Sequence, residues 1–384
     1  MIGRRSVARA AVLVALLMPA MLAAQGGAFI VRLGRDTLAL ERYSRTADRL
    51  EGEQVARAPS TVHRIFTVMF HPGGAVERFE LVEHNVSGAP GPAESKATVD
   101  FAGDSAISTL PDGDSTLHQR VKVPPGTLPW YFQNYALLEE IARRARSAGG
   151  TRYTTTLLPL GNTELWTVTL DPIGRDSMTI LLGSIGRLRA RVDERGTLLG
   201  LSGIGTTMQV TVERVRGPLD FAALGKSFAL RSLGPLSPAD SVRASVAGAV
   251  LAVRYSRPSM RGRVIFGSAV PWNEVWRTGA NAATVFETSA DLVVAGTTVP
   301  AGKYSLWTIP SPDGWKLIFN RNTGQWGTAY DAQYDFARIA MTVERLAQPV
   351  EQFTIAIAPQ RDGRGGVLRL EWERTRASIP FSKK

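Results

Sequence analysis

Hydrophobic and polar residues alternate along most of the chain after residue 24, in short runs separated by glycine, proline and other turn-forming residues. An alternation with a period of two is typical of half-buried β-strands. Gly34-Arg35-Asp36 and His71-Pro72-Gly73-Gly74 each lie between two such runs and therefore predict β-hairpins. In the first half of the chain the pattern predicts strands at residues 29–33, 37–42, 61–70, 75–84, 95–101, 116–123, 152–158, 164–170, 177–182, 187–192, 197–201 and 206–215.

One segment, residues 131–147, has the helical period instead. Leu137, Leu138, Ile141 and Ala145 fall on one face of the predicted helix, and three arginines occupy its last turns before a Gly-Gly pair. Many antiparallel strands with one apolar-faced helix predict a curved sheet or half-barrel wrapped around that helix. This arrangement is similar, at the level of fold only, to the half-barrels of periplasmic lipoprotein carriers.

Residues 231–241 contain glycine, serine and two prolines, and they predict a linker between a first domain at 25–230 and a second at 242–384. The second domain is predicted to have strands at residues 245–255, 284–288, 292–295, 303–310, 315–320, 339–343, 353–358 and 367–373. Short, regularly spaced strands of this kind indicate a β-sandwich, of the jelly-roll type. The predicted fold class is therefore mainly β, with a curved antiparallel sheet followed by a sandwich.

The first 24 residues have the three parts of a secretory signal. Three arginines precede an uncharged apolar run at residues 10–24, which ends in Ala23-Ala24. The run is shorter than the roughly 20 residues that a membrane-spanning helix needs. We therefore predict a signal peptide at residues 1–24, cleaved after Ala24, and an exported protein that is periplasmic or extracellular. No comparable apolar run follows, so no transmembrane segment is expected once the signal is removed.

The chain has no cysteine, so it forms no disulfides and has no thiol nucleophile, Cys-ligated zinc or iron–sulfur cluster. The net charge is +11, and removal of the three signal-peptide arginines would leave +8. Basic surfaces can attract nucleic acids or acidic polymers. Here the basic residues are scattered along predicted strands, and we interpret them as a solvated surface with no nucleic-acid partner.

The second half of the chain contains an ordered series of short motifs. They are Arg257-Pro258-Ser259-Met260-Arg261-Gly262-Arg263, Phe266-Gly267, Val270-Pro271-Trp272, Val275-Trp276-Arg277-Thr278-Gly279-Ala280-Asn281, Thr284-Val285-Phe286-Glu287-Thr288, Pro300-Ala301-Gly302-Lys303-Tyr304-Ser305-Leu306, Ile318-Phe319-Asn320, Trp326-Gly327 and Tyr330-Asp331. In this order they resemble a bacterial family called domain of unknown function 2911, over about residues 245–360. The resemblance implies export and a β-rich fold. It implies no reaction, cofactor or catalytic residue.

The sequence lacks the usual catalytic combinations. The four histidines, His63, His71, His84 and His118, all lie in the first domain, so the second domain cannot contain a Ser-His-Asp triad. The predicted hairpin places His63 and His84 diagonally on one face, about 7–8 Å apart. We interpret them as surface residues, because a zinc site needs three or four convergent ligands. No metal or other cofactor is expected.

Carboxylates leave one enzymatic alternative open. Glu274, Glu287, Asp331 and Asp335 all lie in the second domain. A glycosidase needs two carboxylates about 5 to 9.5 Å apart. A facing pair among these four would suit a hydrolase that acts on envelope polysaccharide.

The most suggestive residues lie between 276 and 287. Trp276, Arg277 and Asn281 with Glu287 would suit a pocket in which the arginine binds an anionic or hydroxyl-rich group and the indole stacks on it. The competing interpretation is structural, with an Arg277–Glu287 ion pair that fixes the turn, and it is the one we favour.

Trp326, beside a glycine and close to Tyr330, is the best candidate for an exposed binding ring. The predicted ligand-binding residues are Trp276, Arg277, Asn281, Glu287, Trp326 and Tyr330, with no catalytic residue.

The leading hypothesis is a non-catalytic envelope protein that binds a small molecule, lipid or glycan, or another envelope protein. The curved sheet of the first domain would hold an apolar molecule, and the aromatic, basic rim of the second would contact a glycan or another protein. The carboxylate-dependent hydrolase is the alternative, and a structural module without a ligand is the third possibility.

Overall fold

A computed structural model describes residues 25–89, 91–149, 151–183, 186–361 and 363–384. The predicted signal peptide, residues 1–24, lies outside the described residues. The described residues form two large, mainly antiparallel β-sheets, each with its own principal hydrophobic core, and two α-helices. The predicted fold class is confirmed. No helix among the described residues combines the length and the apolar character required to cross a bilayer.

The first sheet contains fifteen strands. They are β1 (Gln25–Leu33), β2 (Asp36–Arg45), β3 (Arg49–Ala56), β4 (Val62–Phe70), β5 (Val76–Asn85), β6 (Glu94–Ala102), β7 (Ser105–Asp112), β8 (Ser115–Lys122), β9 (Leu128–Trp130), β10 (Tyr153–Pro159), β11 (Trp166–Ile173), β12 (Ser177–Leu182), β13 (Gly186–Val192), β14 (Leu198–Ile204) and β15 (Val210–Val215). Their order is β8-β7-β6-β5-β4-β3-β2-β1-β15-β14-β13-β12-β11-β10-β9, so β1 and β15 join two meanders. All neighbours are antiparallel except β9 and β10.

Helix α1 (Tyr135–Ser147) lies within the core of this sheet. The predicted residues Leu137, Leu138, Ile141 and Ala145 are buried. The helix starts four residues later than predicted, because the Asn134 side chain accepts a hydrogen bond from Leu137 N and caps the first turn. The residues before it form the short strand β9 and a turn at Phe132 and Gln133.

In this half of the chain the sequence pattern missed β3, β7, β9 and a second helix, α2 (Phe221–Ala229). Helix α2 begins at the N-cap Asp220 and places Phe221 against Leu40 and Val55 of β2 and β3. These two strands are therefore covered on both faces. Glycine, glutamate and glutamine interrupt the alternation in β3, which explains why it resembles a loop in the sequence.

The second sheet contains nine strands and a short 3-10 helix at Ala332–Tyr334. The strands are β16 (Ala239–Val246), β17 (Ala249–Ser256), β18 (Thr284–Thr288), β19 (Leu292–Val294), β20 (Thr297–Val299), β21 (Gly302–Ile309), β22 (Trp315–Asn320), β23 (Asp335–Pro359) and β24 (Gly365–Lys383). Their order is β16-β17-β18-β21-β22-β23-β24-β19-β20.

Three strand predictions in this half are wrong in detail, and the pattern missed β20. Residues 245–255 form the end of β16, the turn and most of β17. The predicted strands 339–343 and 353–358 belong to one long strand, β23. Irregularities on either side of Val350 let β23 change its pairing with β24 without ending.

Strand β21 is central, as predicted. Tyr304 and Leu306 belong to the main core of the second sheet, whereas Trp307 packs with Ala283, Ile318 and Tyr330 on the opposite face. A separate small core therefore lies between β21–β22 and the loops that cover them. That outer layer positions the candidate site.

The two sheets contact each other directly. Arg35 N donates to Arg261 O at 2.9 Å, and the Arg261 side chain pairs with Asp36 at 2.6 Å. The predicted linker, residues 231–241, is packed: Leu233 and Leu236 contact the first core, and its last residues, from Ala239, already belong to β16 of the second sheet.

Candidate functional site

The candidate site begins with a constrained loop that runs from Trp276 to β18. Thr278 and Asn281 have positive φ angles of 53° and 59°, and Gly279 between them has φ 157°. Non-glycine residues in this region store strain, which persists only where the surrounding structure imposes it.

Buried hydroxyls hold this loop in place. Thr284 Oγ1 donates to Thr278 O at 2.7 Å, and Thr278 Oγ1 donates to Thr308 Oγ1 at 3.2 Å. All three threonines are buried. The backbone of Trp276 also pairs with Thr308 of β21. The loop is therefore attached to the central strand, and the Arg277 backbone is fixed before any ligand arrives.

Arg277 has an unusual environment for a cation. Its side chain is partly buried, and this burial lowers the pKa of the guanidinium. Within the described residues the Arg277 side chain forms one hydrogen bond, in which Nη1 donates to Asn281 O at 3.2 Å. No carboxylate among those residues forms an ion pair with it. A buried charge is normally paired, because loss of hydration is costly.

Trp326 and Gly327 cross over Arg277. Trp326 forms an isolated β-bridge with Ala282, and Gly327 N donates to Asn281 O at 3.0 Å. A Cβ atom at residue 327 would collide with Asn281 O and with the Arg277 side chain. Glycine therefore permits the close approach. The sequence pattern flagged the Trp-Gly pair but gave no means of finding its partner.

The structure therefore gathers three of the six predicted site residues, which we call the Arg277 patch: Arg277, Asn281 and Trp326. The Trp326 indole is 53% exposed, so it presents a ring next to the guanidinium-bearing loop. The Asn281 amide is oriented by Ser256 Oγ at 3.3 Å and Ser237 O at 3.4 Å. The sequence did not indicate these two serines.

The other three predicted site residues lie elsewhere. Trp276 is only 7% exposed and stacks on Trp372, with ring centroids 5.9 Å apart, so it is a core residue. Tyr330 packs on Trp307 and donates to Asp335 at 2.6 Å. Burial, reinforced by the hydrogen bond to Asp335, raises the pKa of Tyr330 to about 12.

Glu287 belongs to a different ion-pair group. It accepts from Arg254 and lies 3.8 Å from Lys303, and the bond from Arg254 lowers the pKa of this carboxyl. The expected Arg277–Glu287 ion pair is wrong. Glu287 faces its cross-strand neighbours on β17 and β21, whereas Arg277 is turned toward the 326–327 segment.

The four carboxylates of the enzymatic alternative are also dispersed. Asp335 accepts from Tyr330, Asn320 and Arg338, and Asp331 caps the 3-10 helix. Both of these acids stabilise the loop after β22. No contact among the described residues connects Glu274 or Glu287 with them.

The histidine prediction had the wrong register. His63 pairs directly with His84 across β4 and β5, because the strand irregularity beside Phe70 shifts the pairing. Their ring centroids are 6.0 Å apart, and each ring lies beside its own glutamate, Glu53 or Glu94. Within the described ranges no group of three or more ligating side chains is arranged to hold a metal.

Chemically, the Arg277 patch offers a cation with unused donors, an amide and an exposed ring. A guanidinium binds carboxylate or phosphate oxygens, and an indole stacks on flat ring faces. The patch supplies no nucleophile and no acid–base pair. Its chemistry is that of recognition.

Residues 237–381 match the model of a family described as "Protein of unknown function (DUF2911)". This part of the chain is similar to that family, as its motifs predicted. No curated protein matches the chain.

Two solved structures are similar to part of it. One is the crystal structure of a β-barrel-like protein of domain of unknown function DUF1849 from Brucella abortus, with 13% identity, a TM-score of 0.37, and coverage of 51% of this chain and 98% of that one. The other is a DUF1089 family protein from Pseudomonas aeruginosa, with 13% identity, a TM-score of 0.30, and coverage of 43% and 90%.

Proposed function

We propose that this protein is an exported envelope protein that binds a ligand and does not catalyse a reaction, and that the Arg277 patch recognises an acidic glycan. The observation that carries the proposal is the partly buried Arg277 guanidinium, which has one carbonyl partner and no carboxylate partner within the described residues. A carboxylate on a sugar would supply the missing counter-charge.

The energetic reason concerns desolvation. Arg277 has already lost part of its hydration, and its backbone is fixed by the threonine network. Hydrogen bonds to charged groups contribute about 1.5–3 kcal/mol each. A bound carboxylate would gain these bonds with little ordering cost, because the loop is preorganised.

The exposed Trp326 ring favours a glycan over a small inorganic anion. Its indole is exposed, and the next residue, Gly327, lies against the Arg277 side chain. An acidic sugar has a carboxylate and a flat apolar ring face on one residue, whereas phosphate has only the charge.

The hydrolase alternative needs two carboxylates that face each other across a cleft. Asp335 is committed to three donors, and Glu287 is paired with two cations on its own sheet. Neither arrangement resembles a poised acid and base. Binding without hydrolysis is therefore the function that the geometry supports best.

Isothermal titration with tri-galacturonate, and with neutral maltotriose as the matched sugar, tests the proposal. We expect tri-galacturonate to bind more tightly. Arg277→Gln should weaken that binding by about tenfold or more, the equivalent of about 1.4 kcal/mol. Trp326→Ala and Gly327→Ala should also weaken it, the latter by displacing the covering segment. Arg254→Gln, which removes an exposed arginine of the same sheet, is the control and should bind normally.

Equal affinity for the two sugars would contradict the proposal, as would normal affinity in a folded Arg277→Gln variant. Release of reducing ends from an acidic polysaccharide would instead support the hydrolase.

Export has a test of its own. The three-part pattern of residues 1–24 supports it. Protein expressed in a Gram-negative host should be found in the periplasm with Gln25 as its N-terminus. An intact N-terminus in cytoplasmic material would contradict export and would leave the sugar-binding test unaffected.

A further inference from the structure

A pocket lies on the first sheet, whereas the Arg277 patch belongs to the second. It has a volume of about 290 Å³. One wall comes from β4 and β5, through Arg64 and Glu83, and the opposite wall comes from the β10–β11 turn and β11, through Asn162 and Trp166. Seven strands separate β4 from β11 in the sheet order. The curvature of the sheet therefore brings two distant strands together across the pocket.

The floor of the pocket is aromatic. Trp130 and Tyr131 are buried, and Tyr131 is held between Phe66 and Phe79, whose ring centroids lie 5.8 and 6.2 Å away. These rings are fixed by the core. A preformed aromatic surface costs a ligand little ordering free energy.

Phe132 differs from the rings beside it. Its side chain is 49% exposed, although it lines the pocket. The backbone next to it is constrained: Gln133 has φ 70°, its carbonyl accepts from Gln54 Nε2 at 2.7 Å, and Asn134 caps α1. An exposed phenylalanine on a fixed backbone leaves apolar surface in water that a bound molecule would cover.

The polar groups of the pocket neutralise each other. Arg64 Nε donates to Glu83 at 2.7 Å, and Arg64 Nη1 donates to Gln54 Oε1 at 3.0 Å. The Arg64 guanidinium also lies 5.7 Å from the centre of the Tyr131 ring. A charged ligand would have to break this pair or lose its hydration without a counter-charge. An uncharged ligand carries no such penalty.

We infer that this pocket binds a small, uncharged molecule with an apolar ring, stacked between Phe132 and the fixed floor and hydrogen-bonded at its edge by Asn162 or the Arg64–Glu83 pair. The volume lies at the lower end of the range for small-molecule sites, which limits the ligand to one or two rings. This site is independent of the Arg277 patch and takes a ligand of the opposite character.

The test uses 6-propionyl-2-(dimethylamino)naphthalene, a neutral fluorophore with two fused rings, and the full mature chain. We expect saturable binding to the wild type. Phe132→Ala should weaken it about threefold to tenfold, the range that corresponds to one aromatic contact. Asn162→Trp replaces an exposed turn residue with a bulky ring at the pocket wall and should abolish it.

Two controls distinguish binding at this site from non-specific binding of the probe to exposed apolar surface. Leu230→Ala removes the most exposed large apolar side chain, at 90% exposure, and should leave probe affinity unchanged. Arg277→Gln should also leave it unchanged, whatever its effect on sugar binding. Absence of saturable binding to the wild type overturns the inference. So does wild-type affinity in either Phe132→Ala or Asn162→Trp, provided that the melting temperature shows the variant to be folded.

Discussion

The two sheets of this protein bury ionisable groups of opposite kinds. The first sheet buries carboxyl groups and surrounds them with donors. Glu41 accepts from Tyr135 N at 3.0 Å and from Ala136 N at 2.6 Å, and so caps the start of α1 from a neighbouring strand. Glu139 of α1 accepts from Leu198 N at 3.0 Å and from the side chains of Tyr43, Arg143 and Arg214.

The second sheet buries guanidinium groups instead. Burial lowers the pKa of Arg263 to about 10, yet each of its nitrogens donates to a carbonyl: Thr207 O and Ser259 O at 2.7 Å, and Met260 O at 3.0 Å. Arg277 has only one such bond. The difference separates a structural cation, each of whose three nitrogens already donates, from a cation in which two nitrogens have no partner among the described residues.

The comparison teaches that burial of a charge alone does not indicate a binding site. A buried charge with few hydrogen-bond or ion-pair partners does indicate one. Both carboxyl oxygens of Glu139 and all three side-chain nitrogens of Arg263 have partners within the fold, so substitution of either residue should affect stability. The Arg277 side chain has a single partner, so its substitution should affect ligand binding first.

The largest expected effect is at Glu139. Glu139→Gln keeps the volume but leaves Arg143 and Arg214 without their shared counter-charge, which should cost about 3–5 kcal/mol in the free energy of unfolding. Urea denaturation measures it. Asp171→Asn removes an exposed partner of Arg152 and should change stability little. Similar small losses in both variants would mean that the first sheet does not depend on its buried carboxylates.

A comparable loss is expected on the second sheet from its aromatic core. Trp276→Ala removes a ring packed on Trp372 and Phe353 and should cost about 3–5 kcal/mol. Trp326→Ala removes an exposed ring and should change stability by less than about 0.5 kcal/mol. Thermal melting compares the two. A large loss in Trp326→Ala would assign this ring to the core and weaken the case for the Arg277 patch.

A smaller effect is expected from the titration of Glu41. Burial raises the pKa of this carboxyl from 4.5 to about 8 in the folded protein. The folded state therefore holds the proton more tightly than the unfolded chain does, and the stabilisation is full below about pH 4.5 and is lost as the pH rises to about 8. The slope cannot exceed about 1.4 kcal/mol per pH unit. Urea midpoints between pH 5 and 8.5 should fall in the wild type more steeply than in Glu41→Gln. Parallel slopes would contradict this expectation.

The smallest effect concerns the contact between the sheets. Gly34 and Gly103 occupy equivalent hairpin turns, each with φ 61°. A Cβ at residue 103 would meet no atom within 4 Å, whereas one at residue 34 would collide with Arg261 O of the other sheet. Gly103→Ala should cost about 1–2 kcal/mol from the left-handed conformation alone. Any further loss of unfolding free energy in Gly34→Ala measures the contribution of the inter-sheet contact. Equal losses in the two variants would show that the sheets fold independently of this contact.

Much of the fold could be predicted from the sequence, and particular elements show why. The β4–β5 hairpin and β12 were found because their alternation directly reflects one buried face. The helix was found from its spacing, but not its first residue, because Gln133 and Asn134 end the extended segment through backbone angles and a cap. Strand β3 was missed because its outer face is covered by a helix about 170 residues later in the chain.

Only part of the candidate site could be predicted from the sequence. The pattern indicated Arg277, Asn281 and Trp326, but it assigned them the wrong partners. Glu287 was assigned to Arg277 from proximity in sequence, whereas the register of β17, β18 and β21 gives it to Arg254 and Lys303. The pocket beside Phe132 left no trace in the sequence, because its walls come from strands that are distant both in the chain and in the sheet.

The amino-acid pattern alone determined that this protein consists of pleated sheets around one apolar helix followed by an aromatic-rich β region, and it predicted an export signal. These properties are local, since they depend on the periodicity and size of neighbouring side chains. Tertiary structure decided which charges are paired and which rings remain exposed. Those outcomes depend on strand register and sheet curvature, and a shift of one residue in register is enough to give a side chain different neighbours.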